Sequence, residues 1–467
     1  MNPLLSRRSV LGTGLALGLG AGDLFAQKLP AVAVAPFEVE LTPPEKTPSC
    51  RVPELIIKFE HPLMAKGVLF QENNKKEKYV IVAIDWLGVC NSSYAKMQTE
   101  VAQAIGTKAE NVAIQFVHQH TAPMFDRDAQ NLLDQVKANV RMSNDEYLDK
   151  AAGILAKTVA AAAEKLVPLT HYGTSWAVAD RLASSRRILL PDGRLFSRMS
   201  STKNNPEARK MPEGKIDPFV RTVSLWSHEN PVAYLHYYAS HPMSYYGDGR
   251  ASYDVPGLAR TQLEKDTKVP QIYFTGCGAD VAFGKYNDGL PERRAELADR
   301  LYDALKRSID SKPTLTPVSE LSWATIELPF SRREDAEFSE QTHRKRIADE
   351  KLNGTLRAKS AMLLAYHERL KQGQQPFLAS VLALGQARLF NLPSEIFVEY
   401  QLYLQSQFPS EFVAVAAYGD CAVWYVPDDP AYMAKGGYEQ TWAFSQPCEA
   451  KLKAALKKLG EKVAVKS

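Results

Sequence analysis

The stretch FVHQHTAP, residues 116–123, sets two of the chain's nine histidines, His118 and His120, two positions apart after the apolar run NVAIQF. Alternate residues of a strand point to the same side, so both rings can reach one centre. Three further polar positions sit at or just past the end of an apolar run: His241 in ASHPMSYYGDG, Glu395 in LPSEIF and Tyr425 in VWYVP. Strand termini in α/β sheets are where ligand-binding groups converge. A buried carboxylate such as Glu395 is costly unless paired or bound to a metal. Imidazole and carboxylate together suit zinc, with an open coordination position if the site is catalytic. Taken singly, a strand-end histidine also reads as a hydrogen-bonded structural residue. His236 reads as packed in a sheet, and His61 and His171 carry no context.

The elements that would position these groups follow from patterning. KYVIVAIDWLGV is a nearly continuous apolar run, as strands buried on both faces are. SYAKMQTEVAQAIG has helical spacing with Gly106 as a stop, NVAIQFV is the next strand, and a helix is expected from about Asn144 to Lys165. Residues 183–221 are rich in Pro, Gly, Ser and Asn and read as a long irregular excursion with a short hairpin at PDG. The segment 331–374 is highly charged and helical, and its His343 and His367 read as solvated. Strands alternating with helices predict an α/β fold, a layered mixed β-sheet domain flanked by helices with its active site at strand ends.

With 467 residues, 45% hydrophobic and 24% charged, and a formal charge of +4, the composition is globular. The absence of long like-charge runs and of a basic patch interleaved with aromatics argues against nucleic acid as a partner. SRRSVLGTGLALGLGAGDLFAQ places Arg7 and Arg8 before a short apolar stretch, the pattern of a twin-arginine export signal cleaved near Ala26. That predicts an exported chain, periplasmic or secreted, that meets the twin-arginine machinery. The run Val10 to Gly22 falls short of the about 20 residues a membrane span needs, so no transmembrane anchor is expected in the mature chain. Five cysteines without CxxC spacing disfavour a thiolate zinc knot and leave room for one disulfide of unspecified pairing.

In order along the chain, VELTPP, IVAIDWLG, VHQHTAP, YASHPMSYYGDGRASYDVPG, FTGCGADVAFGKYN, LPSEIF and YVPDDPAYMAKGGYE resemble the neutral (non-lysosomal) ceramidase family, from about Phe37 to the C-terminal helix. The resemblance implies residues 1–26 as signal and 27–467 as one catalytic domain, without the immunoglobulin-like module of the family's long members. It implies a single zinc held by His118, His241, Glu395 and Tyr425, with Tyr418 as the alternative tyrosine. His120 would face the substrate as acid, base or oxyanion donor. Asp254, and less directly Asp85, would orient a ligand histidine from behind.

Gly278, Asp280 and Ala282 correspond to the family's substrate turn, where Ala282 occupies the place of the usual nucleophilic serine. Alanine cannot attack a carbonyl. Hydrolysis of an amide or ester would then run through metal-activated water, since Cys277 reads as a small buried residue. Arg186 and Arg187 in the long excursion would bind a polar or anionic substrate group. The expected substrate is a small molecule, an N-acylated lipid or envelope compound, with ceramide one member of the class. The competing expectations are a catalytically inactive zinc-containing binding protein of the same fold and a metal-free exported binding protein.

Overall fold

The strand Glu77–Ile84 is buried on both faces because its alternate side chains enter two different cores. Val80, Val82 and Ile84 belong to one, and Tyr79, Ile81 and Ala83 to the other. The computed structural model describes residues 31–463 except Tyr246, Gln374 and Lys435, so the expected export signal, residues 1–26, lies outside the described residues. This strand pairs antiparallel with Met64–Glu72 and parallel with Val112–Phe116. Parallel pairing requires a crossover. The helix Asn91–Ile105 supplies it and ends where Gly106 takes the left-handed conformation, φ 68°.

The same β–α–β unit recurs twice, although the sequence carries no visible repeat. Asn230–Tyr238, helix Asp254–Thr267 and parallel Gln271–Thr275 form the second. Ala387–Asn391, helix Val398–Gln407 and parallel Phe412–Ala416 form the third. Each first strand also pairs antiparallel with the strand before it in the chain. Among the described residues the larger sheets are two of five strands and one of four, each with one of these parallel pairs at its edge.

The last strands of the three units meet at their carboxyl ends. Phe116 N donates to Tyr418 O at 2.9 Å, Ala417 N to Thr275 O at 2.9 Å, and Thr275 Oγ1 to Val117 O at 2.7 Å. Loops leaving all three units therefore surround one point. This is the α/β architecture of layered mixed sheets flanked by helices that the patterning predicted. No helix among the described residues is long and apolar enough to cross a membrane.

The excursion at 183–221 contains the expected hairpin, Arg187–Leu189 paired with Leu195–Ser197 across a turn at Gly193. Buried Arg198 organises the rest by donating to the carbonyls of Ser185, Ala208, Pro212 and Glu213. The solvated reading of His343 and His367 is overturned, for both are buried. They lie on the helices Glu340–Ala348 and Gly354–Gln372, and the second of these buries a face that runs from Arg357 to Arg369. Its arginines enter the interior because they find oxygens there. Arg357 donates to Ile347 O, and Arg369 pairs with Asp420. His236 is packed as expected, bonded to Thr222 and Gln271. All five cysteines are free thiols.

Asp126 caps the helix Arg127–Gln135 by accepting from Ala129 N at 3.1 Å, and burial raises its pKa from 3.8 to about 8. A pKa raised on folding contributes stability that is full below the unfolded value and is lost as pH climbs through the folded value. Stability should therefore fall between pH about 4 and about 8, and Asp126→Asn should flatten that slope in denaturation curves taken across the window. An unchanged slope would contradict the assignment.

Candidate metal centre

His118, His241 and Glu395 arrive from three different units. His118 follows Val112–Phe116, His241 follows Asn230–Tyr238, and Glu395 follows Ala387–Asn391. All three are buried, at 1%, 0% and 2% exposure. Strand alternation does not bring the histidine pair together, because the strand ends at Phe116. His118 instead adopts φ 68°, and its ring lies 5.4 Å from that of His120. Ser394, Tyr418 and Trp424 likewise have positive φ, at 60°, 64° and 59°. Each such non-glycine residue costs about 1–3 kcal/mol, and such strain concentrates at functional sites.

The tautomers follow from the hydrogen bonds. His118 Nδ1 lies 2.7 Å from Leu87 O, and His241 Nδ1 lies 2.7 Å from Gly278 O. A carbonyl only accepts, so each Nδ1 carries the proton and each Nε2 presents a lone pair. Those two Nε2 atoms face Glu395 Oε2 at 3.4 and 3.2 Å. None of the three atoms has a hydrogen-bond partner. Three acceptors pointed at one another in a dry interior repel unless a cation sits between them. The donor set of imidazoles and carboxylate fits zinc. Burial lowers the pKa of His241 to about 4, which keeps it in the neutral, ligating form. The ligating atoms of His118, His120 and His241 lie within 4.8 Å of one another, so His120 borders the same centre. Burial, then the neighbouring imidazoles of His118 and His241, which oppose a further positive charge, hold the pKa of His120 well below the ordinary range.

Tyr425 pairs with Glu395 across a two-strand ladder, and its hydroxyl accepts from Arg186 Nη1 at 3.1 Å. Tyr418 stacks on the His118 ring at 4.2 Å, and its hydroxyl meets Nδ1, not Nε2, of His241 at 3.3 Å. Tyr418 thus backs the imidazoles, while Tyr425 lines the cavity. Arg186 is a buried guanidinium with no carboxylate in ion-pair range among the described residues. It donates to Ala279 O and lies 4.0 Å from the Tyr438 ring. Burial disfavours its charge, but Tyr425 and Tyr438 raise its pKa above the ordinary value.

Several residues that the sequence singled out are engaged away from the imidazoles, whereas Ala282 bridges His241 and Cys277 is buried as expected. Asp254 does not touch a site histidine; its carboxylate accepts from the Ser244 backbone and hydroxyl and from Val255 N. Asp85 is likewise occupied, by Arg260 and by Met64 N. The backbone carbonyls of Leu87 and Gly278 hold the imidazoles instead. Arg187 pairs with buried Glu439 instead of facing the cavity. Asp280 accepts from Val398 N through its carboxylate, and its backbone carbonyl accepts from Arg186 N. Ala282 is fully buried, in a ladder with Ser184. Burial pushes the Cys277 thiol pKa up, so it stays protonated.

Above the centre opens a cavity of about 840 Å³, walled by Met199, Met243, Met362, Trp424 and Trp442 and reached by His118, His120, Glu395, Arg186 and Tyr438. Tyr438 lay within a motif already noted, but nothing local marked it as different from the tyrosines around it. Met362 was hidden in the charged helical segment.

No family model matches the chain, and no curated protein matches it in sequence. Solved structures match in three dimensions, among them a neutral ceramidase from Pseudomonas aeruginosa and a ceramidase complexed with C2. Each superposes with a TM-score of 0.67 at 14% identity, over 94% of this chain and 76% of that one. The chain has a neutral-ceramidase-like fold.

Proposed function

We propose that this chain is a zinc-dependent hydrolase that cleaves the amide, or ester, of an N-acylated compound with an apolar acyl group. The observation that carries the reading is the convergence of the lone pairs of His118 and His241 on Glu395 Oε2, with both opposite ring nitrogens fixed by carbonyls. His118, His241, Glu395 and Tyr425 would hold the metal. Zinc bound there supplies a Lewis acid for the substrate carbonyl and a nucleophilic water at neutral pH. His120, neutral in its buried setting, is placed to take or return a proton. Arg186 stays charged and is placed to bind the oxygen on which charge develops. The methionine and tryptophan walls favour an acyl chain over a sugar in the cavity. Residues 27–467 would form the exported catalytic domain after removal of 1–26.

Ala282 favours a second reading, a zinc-containing binding protein without turnover. Ala282→Ser separates the two. On the hydrolase reading the parent cleaves N-acyl amides and the variant stays within a few fold of it. A silent parent whose serine variant gains amidase activity would support the binding protein instead.

A further inference from the structure

Ser394 stands one residue before Glu395 in LPSEIF, is fully buried, and adopts φ 60°. Residues other than glycine seldom hold a positive φ unless their surroundings impose it. Here the side chain supplies part of that hold. Ser394 Oγ donates to Asp420 O at 2.8 Å and accepts from Val423 N at 3.3 Å. Two backbone bonds join the same segments: Tyr418 N donates to Ser394 O at 3.0 Å, and Glu395 N donates to Trp424 O at 3.0 Å. Residues 394–395 are therefore stitched to the stretch 418–425. That stretch lays Tyr418 on the His118 ring and pairs Tyr425 with Glu395. The receiving side of the stitch is fixed as well. The Asp420 carboxylate accepts from Asn91 N at 3.1 Å and Ala422 N at 3.2 Å, and it pairs with Arg369. Asn91 opens the helix of the first unit, and Arg369 belongs to the helix that walls the cavity.

We propose that Ser394 is a positioning residue for the metal centre: its hydroxyl holds the Glu395 carboxylate where the lone pairs of His118 and His241 meet, and so sets the affinity for the cation. Glu395 Oε2 has to stay near both Nε2 atoms, at 3.4 and 3.2 Å, although the three groups come from different units. A carboxylate already held at that point gives up little freedom when a cation arrives. One on a loosened loop must first be ordered, and that cost appears as weaker binding. The inference rests on the metal centre described above. A hydroxyl that only stabilised the turn would leave the zinc affinity of the folded chain unchanged.

The test is zinc affinity, measured by competition with a chelator, in the parent, Ser394→Ala and Ser394→Gly, beside the melting temperature of each metal-free protein. Both variants lose the hydroxyl. Glycine also relieves the positive φ, so it keeps the test open if alanine unfolds the chain. Both should bind zinc about 10–100-fold more weakly than the parent, the usual effect of losing a group that orients a metal ligand. Parental affinity in the variants, with or without a lower melting temperature, would overturn the proposal and leave the metal centre standing. Parental affinity in Ser394→Gly alone would trace the effect to backbone strain and overturn it too. A parent that binds no zinc would remove the metal centre itself and this role with it.

Discussion

Replacing His241 with alanine should strip the metal and abolish hydrolysis together. The ring is fully buried, it arrives from the second β–α–β unit, and its Nε2 stands 3.2 Å from Glu395 Oε2. Losing a residue that merely orients a metal ligand costs about 10–100-fold in affinity or activity, so losing a ligand should cost more. His118→Ala should behave the same way. His120→Ala should keep the metal and lose about 10²–10⁴-fold in turnover, as loss of a proton-transferring group does. Metal content measured beside kcat for the three variants distinguishes the roles. Full metal in His241→Ala would remove it from the ligand set, and loss of metal in His120→Ala would add His120 to it.

Asp85→Ala should destabilise the whole chain by about 3–5 kcal/mol, the cost of leaving one member of a buried ion pair alone. Asp85 and Arg260 are both 0% exposed and bonded to each other. Asp85 follows the strand Glu77–Ile84 and Arg260 lies on the helix Asp254–Thr267, so the pair ties the first unit to the second. Removing the carboxylate also frees Met64 N, its other donor at 2.9 Å. Replacing both members with apolar residues of similar size, Asp85→Leu with Arg260→Met, should recover most of the loss, because no unpaired charge remains. Denaturant midpoints decide the matter. A parental midpoint in Asp85→Ala would mean that water or a neighbour compensates Arg260.

The sequence placed the polar groups that converge because each follows a long apolar run, and such runs identify central strands without knowledge of their neighbours. Val80 to Ile84 illustrates this, since only a strand between two cores is apolar on both faces. The threefold recurrence of the β–α–β unit was invisible, because it is a repeat of topology and the three units do not share residues. The positioning of the imidazoles was also beyond patterning. Alternation along a strand suggested a cause for the paired histidines, whereas a left-handed turn at His118 is the cause found. Asp254 and Asp85 were plausible supports by residue type. The groups that hold the rings are the carbonyls of Leu87 and Gly278, which no side-chain identity encodes. The charged segment 331–374 misled for a different reason. Arg357 and Arg369 find carbonyls and Asp420 in the interior, so charge did not mean solvent, and the helix they belong to walls the cavity.

The measurement that bears most directly on the account is the zinc content of the protein purified without added metal. One zinc per chain, lost in His241→Ala and raising the melting temperature of stripped protein when returned, is the predicted result. Protein that carries no zinc, and whose melting temperature does not respond to it, would contradict the metal centre and the hydrolysis built on it.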